Sequence, residues 1–164
     1  MRQEKIAIYP GTFDPVTLGH MDILNRALRM FDKVIVAVAA NPGKNPLFDF
    51  ETRTRLVEEN VKNIPRVCVA PMSGLTVDFA KDAGAIALIR GLRAVSDFEF
   101  EFQLAQMNRH LNADIETVFL MPSPKYFYTS STIIKQVSEY SPERVKKFIP
   151  DNVLELMKSR GILG

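Results

Sequence analysis

The stretch VIVAVAA, residues 34–40, is an unbroken run of seven apolar residues. A strand with one face in water alternates apolar and polar side chains, and this run does not. Continuous apolar character is typical of a strand in a parallel sheet, which is covered by helices on both faces. The run therefore predicts an interior strand of an α/β fold.

Amphipathic patterns lie on both sides of this run. Residues 19–31 place Ile23, Leu24 and Ala27 at helical spacing, and residues 50–63 do the same through Leu56 and Val57. Further strands are predicted at residues 5–9, 67–70, 85–89 and 115–121, and further helices at residues 76–82, 97–111 and 151–160. Five strands alternating with helices predict α/β architecture in a single domain, namely a Rossmann-like, doubly wound five-stranded parallel sheet.

Residues 97–111, DFEFEFQLAQMNRHL, carry two conflicting patterns. The first residues alternate strictly, as a strand does, whereas Leu104, Met107 and Leu111 follow helical spacing. Because the segment is long and contains neither glycine nor proline, we predict one helix over its whole length.

Composition excludes several classes of protein. The 164 residues include 21 basic and 19 acidic side chains, a net charge of +2 that gives no reason to expect a nucleic-acid partner. No segment approaches the ~18 apolar residues of a membrane span, and the first apolar run is too short for a signal peptide, so we expect a cytoplasmic protein. Cys68, the single cysteine, is predicted to be a buried small apolar side chain, and no zinc-ligand spacing predicts a metal site.

Unusual polar residues follow four of the predicted strands. Because the carboxyl ends of parallel strands share one edge of the sheet, where ligands bind in this architecture, we expect these side chains to lie along one rim. The residues are Thr12, His20, Lys44, Arg90, Arg93, Ser130, Ser131 and Thr132. Arginine and lysine bind phosphate, and hydroxyls at a helix N-terminus favour anions, so the set predicts a phosphate site.

Each of these residues also has a structural interpretation. A lone cation after a strand is commonly solvated, and the Ser-Ser-Thr run alone is a helix cap. We interpret Asp14–Pro15 as turn chemistry and His110 as a structural or surface histidine. Glu101 either belongs to an exposed acidic face, neutralises an arginine or contacts a ligand. The chain has neither G-x-x-x-x-G-K-[ST] nor G-x-G-x-x-G, which argues against P-loop NTPases and dinucleotide dehydrogenases.

Four ordered blocks resemble the bacterial phosphopantetheine adenylyltransferases, within the nucleotidyltransferase superfamily. They are YPGTFDPVTLGH (9–20), LIRGLRAVSDFEFE (88–101), QLAQMNRHL (103–111), and FLMPS (119–123) followed by TSST (129–132). The first block contains a T-x-G-H version of the H-x-G-H signature, and the last is similar to the closing I-S-S-[ST] motif. The resemblance runs from about residue 5 to residue 156 and implies one nucleotidyltransferase domain over residues 1–164.

The resemblance implies roles for individual residues. His20 would stabilise the transition state, and Lys44 would follow the transferring phosphate. The implied phosphopantetheine-binding residues are Thr12, Lys44, Thr76 and Arg90. The implied ATP-binding residues are Thr12, Phe13, His20, Gly91, Leu92, Arg93, Glu101, Tyr126, Phe127, Tyr128, Thr129, Ser130, Ser131 and Thr132. Thr129 departs from the family, which usually has isoleucine before the serines.

The implied reaction is transfer of the adenylyl group of ATP to 4′-phosphopantetheine, which gives dephospho-coenzyme A and pyrophosphate. The resemblance also implies a homohexamer, and Mg²⁺ held mainly by the substrate phosphates. Two alternatives remain open from the sequence. One is a related nucleotidyltransferase acting on nicotinate mononucleotide or glycerol phosphate, and the other is a nucleotide sensor without catalysis.

Overall fold

A computed structural model describes residues 3–40 and 45–162, and it contains the predicted sheet. All strand pairs are parallel, in the order β3-β2-β1-β4-β5. The strands are β1 (Ile6–Gly11), β2 (Lys33–Ala39), β3 (Val67–Met72), β4 (Ala87–Gly91) and β5 (Glu116–Leu120). The prediction of a five-stranded, Rossmann-like parallel sheet is therefore confirmed.

Helices connect the strands and cover both faces of the sheet. They are α1 (Leu18–Ala27), α2 (Phe50–Val61), α3 (Thr76–Asp82), α4 (Val95–Leu111), α5 (Ser131–Tyr140), α6 (Pro142–Val145) and α7 (Asp151–Ser159), with a 3₁₀ turn at Pro124–Tyr126. The ambiguous segment after β4 is a helix, as predicted. The first helix ends at Ala27 rather than at Phe31, although the Phe31 side chain still packs in the core.

Strand β2 lies between β3 and β1 and is buried on both faces, which explains its unbroken apolar sequence. Val34, Val36 and Val38 pack in the larger core cluster, together with residues of α1, α2, α5 and α7. Ile35 and Ala37 point to the opposite face and pack in the cluster that includes residues of α3. Alternate side chains of this one strand therefore pack in two apolar cores, one on each face of the sheet.

The prediction that Cys68 is buried is wrong, because β3 is an edge strand. Cys68 is only half-buried, and so are Val67, Val69 and Ala70 beside it. An edge strand has a neighbour on one side only, so less of its surface is covered. Among the described residues, no helix is long and apolar enough to span a membrane.

Helix α4 exposes most of its apolar side chains to solvent. Phe100 is 66% exposed, and Phe98, Phe102, Met107 and Leu111 are each at least 46% exposed. We call these five residues the exposed α4 residues; Phe98 and Phe102 lie on one side of the helix, and Phe100, Met107 and Leu111 lie on the other. Helix α4 contacts α3 and β5 but contributes little to either core.

The chain changes direction across the sheet between β1 and β4. From β1 it winds outward through β2 to β3, and it then crosses back to place β4 on the other side of β1. Such a switch point opens a crevice at the carboxyl ends of the two strands. In this protein those ends are Gly11 and Gly91.

Candidate active site

A cavity of about 370 Å³ lies at this switch point. Its lining includes these residues predicted from the sequence: Thr12, Phe13, His20, Arg90, Gly91, Arg93, Glu101, Tyr126, Thr129, Ser130, Ser131 and Thr132. Of the other predicted residues, Thr76, Leu92, Phe127 and Tyr128 do not line it, and Lys44 lies outside the described residues. The topology thus brings together segments that are more than 100 residues apart.

His20 is fixed by the cap of α1. Its backbone N–H donates to Thr17 Oγ1 over 3.2 Å, and the Thr17 backbone N–H donates back to His20 Nδ1 over 3.0 Å. This is a capping box in which histidine takes the third helical position, where glutamate or glutamine is usual. Since Nδ1 accepts a hydrogen bond, the proton of the neutral ring is on Nε2.

The surroundings of His20 keep its ring neutral. Burial, and then the positive charge of Arg93, lower the pKa of His20 from its usual ~6.5 to about 4. The ring packs edge-on against Phe13, with 5.0 Å between the ring centroids. At neutral pH, His20 therefore offers Nε2–H as a hydrogen-bond donor and carries no charge.

Gly11 leaves the space that the Phe13 ring occupies. A Cβ atom on Gly11 would lie 3.0 Å from two carbons of that ring, a tight contact from which the ring would have to shift slightly. Phe13 itself has a φ of 50°, a left-handed conformation that is uncommon outside glycine. The turn after β1 is therefore specified by residues that place an aromatic ring against His20.

Arg90 and Glu101 form a bidentate ion pair at the cavity wall. Arg90 Nε donates to Glu101 Oε2 over 2.7 Å, and Arg90 Nη2 donates to Oε1 over 2.6 Å. These bonds raise the pKa of Arg90 above its usual value, so the guanidinium stays charged. Of the three interpretations of Glu101, the geometry favours the one in which it neutralises an arginine.

The N-terminus of α5 closes another side of the cavity. Ser130 is its N-cap, with Oγ accepting from the Ile133 N–H over 3.0 Å. Ser131 Oγ donates to the Pro15 carbonyl over 2.8 Å and so ties α5 to the turn after β1. The capping interpretation is correct for Ser130, and the N-terminal end of the helix lies at the cavity.

Sequence reasoning missed Lys135 and misread the side chain of Asp14. Lys135 Nζ donates to Asp14 Oδ2, and both residues line the cavity. Lys135 follows Ser131 by four residues, so helical spacing could have placed it on the same face. Asp14 does lie in a turn, but its buried carboxylate binds the distant N–H groups of Leu47 and Phe48 over 2.8 and 2.9 Å.

The segment that carries the last motif is anchored to α1. Asp22 accepts from the backbone N–H of Ser123 over 2.8 Å and from its hydroxyl over 2.9 Å. Arg26 Nη2 also donates to Ser123 Oγ over 2.9 Å. Because His20 lies on the same helix, these hydrogen bonds fix the position of the segment after β5 relative to the imidazole of His20.

We expect Thr129→Val to stabilise the protein. Thr129 is 4% exposed, and its hydroxyl has no hydrogen-bond partner within the described part of the chain. An unsatisfied buried hydroxyl costs about 1–3 kcal/mol, and valine has the same shape without it. Thermal unfolding should show a rise in Tm of about 2–4 °C for each kcal/mol gained. Thr129→Ser, which keeps the hydroxyl, should show no such rise, and an unchanged Tm in Thr129→Val would contradict the assignment.

A family model and curated relatives each match most of the chain. The family model described as cytidylyltransferase-like matches residues 8–137. A phosphopantetheine adenylyltransferase from Caldanaerobacter subterraneus is 49% identical over 156 residues, which cover 95% of this chain and 97% of that protein. A phosphopantetheine adenylyltransferase from Geotalea daltonii is 54% identical over 150 residues, covering 87% and 93%.

Solved structures share the fold at much lower sequence identity. A putative nicotinate-nucleotide adenylyltransferase from Vibrio parahaemolyticus superposes with a TM-score of 0.70 at 19% identity, covering 98% of this chain and 96% of that one. A nicotinic acid mononucleotide adenylyltransferase from Plasmodium falciparum gives 0.70 at 15% identity, covering 97% and 96%. These two likenesses show a common fold.

Proposed function

The chain belongs to the cytidylyltransferase-like family and, within it, to the phosphopantetheine adenylyltransferases, and from this we propose how its cavity works. The protein transfers the adenylyl group of ATP to 4′-phosphopantetheine, a step of coenzyme A synthesis. We propose that the chain acts as one nucleotidyltransferase domain and that the transfer is a direct in-line displacement in the cavity between β1 and β4. The observation that supports this site is the meeting of a neutral imidazole donor, two arginines and a helix N-terminus around one space.

The residues around the cavity suit two polyanionic substrates. Arg90 and Lys44 would hold the phosphate of phosphopantetheine, with Thr12 between the two substrates. His20 Nε2–H and the N-terminus of α5 would donate to the ATP phosphates, where negative charge develops during the transfer. Because these donors are fixed by the capping box and by the Ser130 cap, they need no rearrangement during the reaction.

The chemistry asks for positioning rather than for a strong base. The attacking group is a phosphate whose second pKa is ~6, so it is already largely dianionic at pH 7. It attacks the α-phosphorus of ATP, the bond to the bridging oxygen breaks, and pyrophosphate leaves with that oxygen. Because His20 is neutral at pH 7, it does not act as a general acid. Its role is to stabilise the developing charge by donating a hydrogen bond.

The acidic residues around the cavity do not form a cage for a metal. No group of three or more histidine, cysteine, aspartate or glutamate side chains in the described ranges is placed to hold an ion. The carboxylates of Asp14 and Glu101 are both engaged by hydrogen bonds within the protein. This arrangement fits Mg²⁺ held by phosphate oxygens and water, where the ion would neutralise charge on the phosphates.

A pyrophosphate-release assay tests the proposed function. The protein is incubated with ATP, Mg²⁺ and one acceptor: phosphopantetheine, nicotinate mononucleotide or glycerol phosphate. We expect pyrophosphate and dephospho-coenzyme A to form when the acceptor is phosphopantetheine, and no pyrophosphate to form with the other two acceptors. Turnover with only another acceptor would replace the substrate, and ATP binding without pyrophosphate release would identify a nucleotide sensor.

We also propose that the enzyme assembles as a homohexamer in the cytoplasm. The exposed α4 residues support self-association, since five large exposed apolar side chains on one helix are costly to leave in water. Analytical ultracentrifugation should give six times the 18.5 kDa chain mass. A stable monomer would contradict the proposal.

A further inference from the structure

Arg53 is a buried cation near the cavity that the proposed chemistry does not use. It lies on α2 and is 2% exposed. Its Nη1 donates to the carbonyls of Thr12 and Ala39, over 2.6 and 2.9 Å, and its Nε donates to the carbonyl of Phe48 over 3.2 Å. All these bonds therefore go to backbone, and a buried charge is tolerated when it is bonded in this way.

The three carbonyls come from three different parts of the chain. Thr12 lies in the turn after β1, Ala39 is the last residue of β2, and Phe48 precedes α2. The pairing of β1 with β2 extends to Gly11 and Val38, directly before Thr12 and Ala39, and one planar guanidinium joins these two strand ends to Phe48. Lysine could reach one or two of the carbonyls but lacks the rigid fork that fixes them relative to each other.

Asp14 binds the same backbone segment as Arg53, at Phe48. Its Oδ1 accepts from the Phe48 N–H, while Arg53 binds the Phe48 carbonyl, so both sides of this residue's backbone are fixed. Asp14 and Thr12 flank Phe13, whose ring contacts His20. The buried arginine is thus connected to the turn that carries both Thr12 and the aromatic support of the imidazole.

We propose that Arg53 is a positioning residue for adenylyl transfer, which acts by holding the Thr12 carbonyl against the ends of β2 and of the segment before α2. Arg53 does not line the cavity, so it acts through these backbone groups and contacts neither substrate. The inference rests on the proposed function of this cavity and adds a residue that lies outside the cavity lining.

Steady-state kinetics of Arg53→Lys test this role. A small displacement of reacting groups costs up to about 10²-fold in rate, so we expect kcat to fall about 10- to 100-fold at saturating substrates. The KM values for ATP and phosphopantetheine should change by less than about threefold, because no substrate contact is lost. A purely structural role would instead lower the Tm and leave kcat per folded molecule unchanged, and that result would overturn the inference.

Arg66→Lys is the matched control. Arg66 Nη1 also bridges two backbone carbonyls, those of Leu28 and Phe31, each over 3.2 Å. It precedes β3 and therefore lies at the opposite edge of the sheet from the cavity, although it is more exposed than Arg53. Arg66→Lys should keep the wild-type kcat, and an equal loss of kcat in both lysine variants would also overturn the inference.

A second variant covers the case in which Arg53→Lys does not fold. Arg53→Gln keeps an N–H donor for one carbonyl without a buried charge, and its kcat should fall at least as far as predicted for lysine. A wild-type kcat in the folded glutamine variant would overturn the inference about Arg53 but not the proposed function. Absence of turnover by the wild-type enzyme with phosphopantetheine would overturn the proposed function, and this inference with it.

Discussion

His20→Ala is expected to lower kcat about 10²- to 10³-fold, the usual effect of removing one fixed donor to a developing negative charge. The KM for ATP should change modestly, because Arg93 and the N-terminus of α5, which would bind its phosphates, remain. Rates measured by pyrophosphate release at saturating substrates would show the loss. His110→Ala is the matched control, since His110 lies exposed on α4 and should keep the wild-type rate.

The neutral state of His20 makes the same prediction sharper. With a pKa of about 4, the imidazole should show no titration between pH 6 and 8, and nitrogen NMR should find the proton on Nε2. His20→Gln retains an N–H donor and should lose less activity than His20→Ala. A step in the rate near pH 6.5 that disappears in His20→Ala would contradict the role of a neutral donor, and so would normal activity in that variant.

Arg90→Ala is expected to raise the KM for phosphopantetheine about 10²-fold, more than the loss of one phosphate contact alone would explain. Glu101 is 12% exposed and bound to Arg90 by two hydrogen bonds. Removing Arg90 leaves this carboxylate unpaired beside a site for anionic substrates, and breaking such a pair from one side costs several kcal/mol. KM measured separately for each substrate would show the effect.

The double variant Arg90→Ala with Glu101→Ala separates the two contributions. Because it removes the unpaired charge as well, it should recover about tenfold of the lost affinity for phosphopantetheine. Arg109→Ala, which breaks an ion pair whose side chains are both more than half exposed, should leave kinetics unchanged. Equal KM values in the single and double variants would show that Glu101 does not oppose substrate binding.

The sequence predicted the sheet and most of the cavity wall because those features follow from local patterns. The unbroken apolar run of β2 indicates that the strand is buried on both faces. Residues that follow parallel strands lie at the same edge of the sheet, so the sequence could place His20, Arg90 and the Ser-Ser-Thr run together. The helix at residues 97–111 was predicted against its opening alternation. The aromatic residues in that alternation are among the exposed α4 residues and do not belong to a core.

Contacts between distant segments could not be predicted. Nothing in the spacing of Asp14 indicates bonds to Leu47 and Phe48, because those depend on how two loops meet after folding. The same limit applies to the choice among the three interpretations of Glu101, and to the half-buried position of Cys68, which follows from strand order. The role of Lys44, outside the described residues, stays a prediction from the sequence.

The capping box at the start of α1 places stability and activity in competition at a single position. A designer seeking a more heat-resistant enzyme would choose glutamate at position 20, since that residue is favoured both by the capping box and by the positive end of the helix. The same change would set a carboxylate against the phosphates and remove the donor. Thermostabilised variants of this enzyme should therefore be sought away from the first turn of α1, where His20 serves the helix less well than other residues would.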